Sequence, residues 1–303
     1  MTELTAFQQK IAESLTNMEV RFNEPMANHT SFRIGGPAEV MVFPKNAEEL
    51  AAIMKMSVFL DISPAILGAG TNVLAPDNGI SGLVICLKDC LGGMEQTGEN
   101  TIYVMAGVTM TRAAVFAANL GLSGMEFAHG IPGTVGGGVY MNAGAYGGEI
   151  KDICELVDIM DKTGNIRRLS NDEMRFSYRH SVLEESGDIV IGAQFRLIPM
   201  DEAEIKMKMK ELMGKRSASQ PLDLPSAGSA FKRPVGGYAA ALIDQAGLKG
   251  FTVGGAAIST KHAGFAVNLG NATAADVRNL LSQVSDIVFE RSGIRLEPEV
   301  RIW

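Results

Sequence analysis

Two glycine-rich segments have the residue types and spacing that can bind a phosphate group. The first is Gly68-Ala69-Gly70-Thr71-Asn72-Val73-Leu74, and the second runs from Gly130 to Ala145. Consecutive small residues leave backbone N–H groups free to converge on an anion. The first segment lacks the third glycine of a Rossmann fingerprint, and the sequence has no P-loop motif. Each segment alone is also typical of a tight turn, but the pair indicates a long, phosphate-bearing cofactor.

The histidines and cysteines do not form a motif for metal binding or nucleophilic catalysis. The four histidines are isolated, and the sequence has neither an HExxH motif nor a serine in a GxSxG elbow. Cys86, Cys90 and Cys154 are odd in number and lack CxxC spacing, which is typical of reduced thiols in a protein interior. We therefore expect no bound metal and no disulfide framework.

Composition and charge are typical of water-soluble globular proteins. Of the 303 residues, 46% are hydrophobic and 20% are charged, and the net charge is -7. No run of basic residues could follow a nucleic-acid backbone. Residues 1–20 have no apolar h-region, and the longest charge-free run, Gly130 to Gly148, holds eight glycines. We expect a cytoplasmic protein that binds neither nucleic acid nor membranes.

Hydrophobic periodicity predicts the elements that must position these segments. Helices are predicted at residues 46–60, 109–120, 201–216, 238–245 and 273–291. Strands are predicted at residues 65–67, 83–87, 101–106, 153–160, 189–197 and 265–269, with another near Phe251. Residues 130–148 are predicted to form a tight loop. Over residues 295–303, alternation predicts a strand with Glu299 and Arg301 on one face and Val300 and Ile302 on the other.

Five motifs occur in an order that resembles one enzyme family. They are Leu67–Leu74, Glu126–Gly137, Phe176–Ser181, Pro225–Lys232 and Glu299–Arg301. Together they resemble the UDP-N-acetylenolpyruvoylglucosamine reductases, and the resemblance extends from about Asn28 to Ile302. An ordered set of five motifs is far more specific than any one of its members.

That family implies an α+β protein with an FAD-binding fold of the vanillyl-alcohol-oxidase (PCMH) type. The resemblance assigns residues 1–200 to the FAD-binding domain, in subdomains of about 1–88 and 89–200. It assigns residues 201–303 to an α+β substrate-binding domain, whose terminal strand 296–303 returns to the active site. Some relatives in the wider fold attach flavin through a histidine where this chain has Thr71 and Asn72. We therefore expect non-covalent FAD.

The resemblance implies that NADPH, through FAD, reduces UDP-N-acetylglucosamine enolpyruvate to UDP-N-acetylmuramate in peptidoglycan precursor synthesis. Hydride would pass from flavin N5 to C3 and a proton to C2. Arg179, Ser229 and Glu299 match the family's catalytic positions. Arg179 would stabilise the enolate, a protonated Glu299 would hydrogen-bond the substrate carboxylate, and Ser229 would protonate C2.

The same resemblance assigns the two glycine-rich segments to FAD. The first would bind the pyrophosphate, and the second would run beside the isoalloxazine ring and the ribityl chain. The residues expected to contact FAD are Gly68, Ala69, Gly70, Thr71, Asn72, Val73, Leu74, Ile131, Pro132, Gly133, Thr134, Gly136, Gly137, Asn142 and Gly144. Lys232 and Arg301, which flank catalytic motifs, are expected to bind the UDP-sugar.

One branch of the family inserts a tyrosine-bearing loop after the arginine motif. Only ten residues separate Arg179 from Val190, so this chain resembles the branch without that loop. Two alternatives stay open at this point. One is another flavin oxidase or dehydrogenase of the same fold that acts on a hydroxy acid or sugar, and the other is a nucleotide-sugar-binding regulator without catalysis. We expect a monomer or a weak oligomer.

Overall fold

The computed structural model describes residues 4–303, which form two compact units. The first unit comprises residues 4–22, Val40–Ala69 and Gly82–Lys215, and the second comprises Asn23–Glu39, Gly70–Ser81 and Arg216–Trp303. Both contain helices and sheets, and the predicted α+β class is confirmed. The predicted domains 1–200 and 201–303 stay a prediction, and residues 1–3 lie outside the described residues.

Apart from the strand predicted over residues 295–303, the helices and strands predicted from periodicity are present within a few residues of the expected bounds. The helices are α1 (Ala6–Ser14), α2 (Ala47–Phe59), α3 (Met110–Asn119), α4 (Val135–Tyr140), α5 (Leu183–Ser186), α6 (Glu202–Ser219), α7 (Ala239–Gln245) and α8 (Ala274–Ser292). The strands are β1 (Glu19–Pro25), β2 (Pro37–Phe43), β3 (Ala65–Leu67), β4 (Val73–Leu74), β5 (Ile80–Cys86), β6 (Met94–Gly98), β7 (Thr101–Met105), β8 (Leu122–Ser123), β9 (Gly144–Ala145), β10 (Gly148–Glu149), β11 (Cys154–Met160), β12 (Ile166–Ser170), β13 (Ile189–Arg196), β14 (Ile198–Pro199), β15 (Ser226–Ser229), β16 (Thr252–Val253), β17 (Ala256–Ile258), β18 (Phe265–Asn268) and β19 (Arg301–Ile302).

The first unit is built around a five-stranded antiparallel sheet in the order β12-β11-β13-β7-β6. Val104, Val157 and Phe195, on its three central strands, are fully buried. A second sheet has the order β1-β2-β5-β3, in which β3 and β5 run parallel. The first glycine-rich segment begins directly after β3, so this pairing fixes where the segment starts.

The second unit is built around a four-stranded sheet in the order β15-β18-β17-β16, which packs against α8. The Thr273 side chain caps the first turn of α8. Val277, Leu280 and Val284 recur at helical spacing and are fully buried. Gly293 ends the helix in the left-handed conformation, with φ +71°.

Residues 130–148 contain the helix α4, so the prediction of a loop is wrong in part. The Thr134 side chain accepts a hydrogen bond from the Gly137 N–H at 3.3 Å and begins the helix. A Cβ on Gly136 would lie 2.9 Å from the Cβ of Ala106, so glycine lets the helix pack directly on the end of β7. Glycine lowers intrinsic helix propensity, and tertiary packing overrides that preference here.

The predicted strand over residues 295–303 is shorter than expected, which corrects that prediction. Arg301–Ile302 forms β19, which pairs in parallel with β4. Before it, Pro298 makes an isolated bridge to Phe231, and proline has no N–H with which to continue a ladder. Val300 is buried whereas Ile302 is 44% exposed, so the two do not share a buried face.

Cys86, Cys90 and Cys154 are buried and free, as predicted. Burial raises the pKa of the Cys154 thiol to about 12, which keeps it protonated at neutral pH. Among residues 4–303, none of the helices combines the length and apolar character that a membrane span requires. The same residues contain no group of three or more His, Cys, Asp or Glu arranged to hold a metal ion.

We expect Gly136→Ala to lower the free energy of unfolding by about 1–3 kcal/mol, because its Cβ would overpack against Ala106. The matched control is Gly214→Ala in the exposed part of α6, where a Cβ would meet nothing within 4 Å. There, alanine should raise the free energy of unfolding by roughly 0.5–1 kcal/mol. Urea unfolding of both variants measures the two changes, and equal effects would contradict the packing argument.

Candidate active site

The two glycine-rich segments approach each other in the first unit. A Cβ on Gly68 would lie 3.0 Å from Thr134 Oγ1. Thr134 is only 4% exposed, and it forms an isolated antiparallel bridge with Thr109, the N-cap of α3. The structure thus brings together one residue from each segment that was predicted to bind the same cofactor.

The two segments differ in the backbone N–H groups that they leave for a ligand. At the start of α4, the N–H groups of Val135 and Gly136 donate to the carbonyls of Val108 and Ala106, at 2.8 and 2.9 Å. Among residues 4–303, the N–H groups of residues 68–70 donate no hydrogen bond. These three residues carry at most a methyl side chain, so the first segment fits an anion such as a pyrophosphate.

Gly70 is the first residue of the glycine-rich segment that belongs to the second unit. Only glycine fits at this position, because any side chain would collide with the backbone. Gly70 has φ +63°, and a Cβ would lie 2.0 Å from the carbonyl oxygen of His29. The N–H of Ser31 donates to the Gly70 carbonyl at 3.0 Å, and Ser31 Oγ donates to the Ser226 carbonyl at 2.6 Å. The segment is therefore held tightly against the backbone of residues 29–31.

Glu299 and Ser229 are brought together in the second unit by backbone hydrogen bonds. The Glu299 N–H donates at 3.0 Å to the carbonyl of Ala230, the residue that follows Ser229. Asn72 Nδ2 donates to the Glu299 carbonyl at 3.2 Å, and the Arg301 N–H donates to the Asn72 carbonyl at 3.0 Å. One predicted catalytic residue, Glu299, and a predicted cofactor residue, Asn72, therefore belong to one hydrogen-bonded cluster, and Ser229 is the chain neighbour of its third member, Ala230.

Ser229 lies at the exposed end of β15, where the strand is irregular. Gly228 before it has φ +76°, and the N–H of Ala230 after it donates to the Gly264 carbonyl at 2.8 Å. The Gly264 N–H donates in turn to His262 Nδ1 at 3.1 Å. His262 thus supports the position of Ser229 through the backbone. Sequence reasoning gave it no role, and no spacing in the sequence marks it.

The two predicted substrate-binding cations lie in the second unit as well. Lys232 Nζ forms an ion pair with Glu297, whose carbonyl also accepts the Lys232 N–H at 2.9 Å. Arg301 is partly buried and pairs with Val73 in the parallel ladder. Lys232 and Arg301 each lie two residues along the chain from a member of this cluster, Ala230 and Glu299, so the structure groups these predicted residues.

Arg179 lies in the first unit, at the third position of a four-residue turn. Ser177 and His180 exchange two backbone hydrogen bonds, at 3.1 and 3.2 Å, and enclose Tyr178 and Arg179. Arg179 has φ +56°, a conformation that residues other than glycine rarely adopt. Its Nη2 donates to the Gly144 carbonyl at 3.2 Å, and its guanidinium lies 5.1 Å from the ring centroid of Tyr178. The charge is therefore held beside Gly144, a predicted cofactor residue.

Asn142 differs from the other predicted cofactor residues because its side chain is fully buried and already engaged. Its Nδ2 donates to Glu149 Oε2 and to the Ser177 carbonyl, both at 2.9 Å. Its Oδ1 accepts from the Lys151 N–H at 2.9 Å. Contact with FAD stays a prediction for the whole predicted set.

Burial lowers the pKa of His262, so the folded protein favours the neutral ring whose Nδ1 accepts the Gly264 N–H. The unfolded chain, with a pKa near ~6.5, therefore takes up the proton first as the pH falls. We expect the free energy of unfolding to decrease below about pH 6.5, by at most about 1.4 kcal/mol per pH unit for this one proton.

The matched variant is His262→Asn, which keeps an acceptor but cannot titrate. Urea unfolding of both proteins between about pH 5 and pH 7.5 measures the difference. The variant should lack this part of the pH dependence, and parallel curves for the two proteins would contradict the assignment to His262.

Sequence comparisons relate the chain to one group of proteins over nearly its whole length. The FAD binding domain family matches residues 38–170, and the family described as UDP-N-acetylenolpyruvoylglucosamine reductase, C-terminal domain, matches residues 220–303. UDP-N-acetylenolpyruvoylglucosamine reductase from Caldanaerobacter subterraneus is 46% identical over 97% of this chain and 96% of its own. The protein of the same name from Agathobacter rectalis is 43% identical over 98% of both chains.

Solved structures give the same picture. UDP-N-acetylenolpyruvylglucosamine reductase from Thermus caldophilus superposes with a TM-score of 0.80 at 35% identity, covering 95% of this chain and 99% of its own. An alkyldihydroxyacetonephosphate synthase, 14% identical, has a TM-score of 0.50 over 66% of this chain and 42% of its own, which is a likeness of fold alone. The predicted FAD-binding fold of the vanillyl-alcohol-oxidase type is confirmed.

Proposed function

The chain belongs to the UDP-N-acetylenolpyruvoylglucosamine reductase family, and from that premise we propose how its residues carry out the reaction. The protein is an FAD-dependent oxidoreductase that uses NADPH to reduce UDP-N-acetylglucosamine enolpyruvate to UDP-N-acetylmuramate, a step of peptidoglycan precursor synthesis. This assignment replaces the two alternatives, a hydroxy-acid or sugar oxidase and a non-catalytic regulator.

The observation that carries the proposal is the hydrogen-bonded cluster of Asn72, Glu299 and Ala230. It joins the cofactor segment to the residue proposed to bind the substrate carboxylate, and it places that residue beside Ser229. Reduction of a carbon–carbon double bond requires a hydride donor and a proton donor that reach the same substrate. The cluster supports this arrangement because it links a cofactor residue to a proton-donor candidate within one unit.

We propose that the two glycine-rich segments hold FAD without a covalent bond, with the N–H groups of residues 68–70 directed to the pyrophosphate. FAD held there would supply the hydride chemistry, with NADPH as the reductant and C3 of the enolpyruvyl group as the acceptor. The residues of the chain then have to stabilise charge on the substrate and transfer a proton.

Hydride addition at C3 places negative charge on C2 and the adjacent carboxylate. Arg179 is permanently charged and presents a planar fork of N–H donors that matches a carboxylate, so we assign it to enolate stabilisation. Glu299 is assigned to the same carboxylate in its protonated form, because two ionised carboxylates in contact would repel each other. Both residues act by electrostatic stabilisation of the developing charge.

Ser229 is the proposed proton donor to C2, and its exposed position at the end of β15 leaves it accessible to a ligand. A serine is a weak acid, so a neighbouring group or water has to replenish its proton. Lys232 and Arg301 are proposed to bind the diphosphate of the UDP-sugar. The proposal also includes a cytoplasmic protein, monomeric or weakly associated, that binds neither nucleic acid nor membranes.

Anaerobic absorption spectroscopy of the purified protein tests the proposed reaction. We expect NADPH to bleach the flavin band and the enolpyruvyl UDP-sugar to restore it, with UDP-N-acetylmuramate as the product. UDP-N-acetylglucosamine, which lacks the enolpyruvyl group, is the matched control and should leave the band bleached. Recovery with oxygen alone, and none with the enolpyruvyl substrate, would show that the proposal is wrong.

Ser229→Ala should leave flavin reduction by NADPH within about twofold of normal and slow reoxidation by substrate by at least ~100-fold, because only the second step uses the proton donor. Stopped-flow absorbance separates the two half-reactions. The matched control is Ser226→Ala on the same strand, for which both rates should stay near normal. Equal slowing of both half-reactions in Ser229→Ala would argue against the proton-donor role.

A further inference from the structure

Asn142 connects the glycine-rich helix region to the turn that contains Arg179. It lies just after α4, is fully buried, and is separated from Ser177 by 35 positions in the sequence. Both N–H groups of Nδ2 are used, one on the Ser177 carbonyl and one on Glu149 Oε2, each at 2.9 Å. The Lys151 N–H donates to Oδ1 at 2.9 Å. These partners fix the orientation of the amide, since only Nδ2 can donate to two oxygens.

The same stretch of chain also holds the other end of Arg179. The Gly144 carbonyl accepts from Arg179 Nη2 at 3.2 Å. Gly144 belongs to the short hairpin of β9 and β10, in which it pairs with Glu149, the carboxylate that accepts from Asn142. Residues 142–149, which include this hairpin, therefore bind the Arg179 turn at two places. Asn142 holds the backbone of the turn through the Ser177 carbonyl, and the Gly144 carbonyl accepts from the Arg179 guanidinium.

The turn needs such support because its conformation is unfavourable for arginine. Arg179 has φ +56°, and Asn142 itself has φ +46°, a region that asparagine tolerates better than most residues. Strained backbone persists only where surrounding contacts determine it. A third contact, from Ser181 Oγ to the Tyr140 carbonyl at 2.6 Å, fixes the chain on the far side of the turn.

We propose that Asn142 is a positioning residue for catalysis, which holds the Arg179 turn in the conformation that directs the guanidinium to the substrate carboxylate. This rests on the proposed function of Arg179. It also gives Asn142 a different role from the contact with FAD that its sequence motif implies, because its side-chain amide is occupied by protein partners.

The discriminating variant is Asn142→Asp, which keeps the shape and the tolerance of positive φ. It replaces Nδ2, with its two N–H donors, by one carboxylate oxygen that faces the Ser177 carbonyl and the Glu149 carboxylate. We expect FAD content, the flavin spectrum and the rate of reduction by NADPH to stay within about twofold of wild type. Reoxidation by the enolpyruvyl UDP-sugar should slow by roughly 10–100-fold, the range expected from misplacement of a catalytic group.

Asn171→Asp is the matched control, because Asn171 also donates through Nδ2 to two carbonyls of the first unit, those of Lys151 and Cys154, at 2.9 and 2.7 Å. Neither of these two bonds reaches the Arg179 turn, so both half-reactions of Asn171→Asp should stay near normal. Hydrogen exchange gives a readout independent of catalysis. The amides of Ser177 and His180, which close the turn, should exchange at least ~10-fold faster in Asn142→Asp and remain unchanged in Asn171→Asp.

A double-mutant cycle with Arg179→Ala separates this inference from the proposed function. If Asn142 acts through Arg179, Asn142→Asp should slow reoxidation by less than about twofold further in the Arg179→Ala background. The positioning role would be overturned if Asn142→Asp slowed reoxidation in the Arg179→Ala background by the same factor as in the wild type. Loss of FAD from Asn142→Asp would overturn it as well. Normal reoxidation in Arg179→Ala alone would instead refute the proposed role of Arg179, while normal exchange of the turn amides in Asn142→Asp would refute the structural link.

If Asn142→Asp does not fold, Asn142→Gly can be used for the same two measurements. Glycine accepts φ +46° without strain and removes the two donors without adding a charge. It should show the same selective slowing of reoxidation and the same faster exchange. Wild-type behaviour of Asn142→Gly in both measurements would overturn the inference.

Discussion

Both parts of the candidate site, one in each unit, depend on the same constraint. At certain glycines the chain packs against its neighbour more closely than a side chain would allow. In the first unit, Gly136 brings α4 onto the end of β7, and Thr134 at the start of the same helix lies beside Gly68. In the second unit, Gly70 lies directly against the carbonyl of His29. A Cβ at Gly136 or Gly70 would collide with groups that cannot easily move, so these glycines determine where the N–H groups proposed to bind the pyrophosphate lie.

The residues proposed to act on the substrate are held mainly through their backbones. Glu299 is bonded through its N–H to Ala230 and through its carbonyl to Asn72, a partner 227 positions away in the sequence. Arg179 is held in a turn that closes on itself and is bonded from Asn142. Main-chain bonds of this kind fix the position of the Cα from which a side chain extends. In the second unit they rest on a sheet that packs against the buried face of the long helix α8.

Local sequence patterns predict every described helix of ten residues or more but fewer than half of the strands. In α2, α3 and α8 they succeed because each helix has a polar cap and an apolar face that repeats at helical spacing. The patterns failed where tertiary packing, rather than local sequence, determines the secondary structure. The glycines of α4 carry no hydrophobic signal, and Pro298 interrupts a segment that alternates like a strand. Ordered motifs located the three catalytic candidates, but no motif could show that Asn142 bonds Ser177. Such a bond depends on how two distant segments pack and on the direction of one amide.

The left-handed conformation of Arg179 sets the catalytic role proposed for this residue against the stability of the turn that contains it. Arginine adopts φ +56° at a cost of roughly 1–2 kcal/mol, whereas glycine adopts it freely. Laboratory evolution that selected only for heat resistance would therefore favour glycine at this position and would remove the guanidinium proposed to stabilise the enolate. An arginine in this conformation thus fits the role proposed for its guanidinium, and stabilised forms of this enzyme should be sought at other residues.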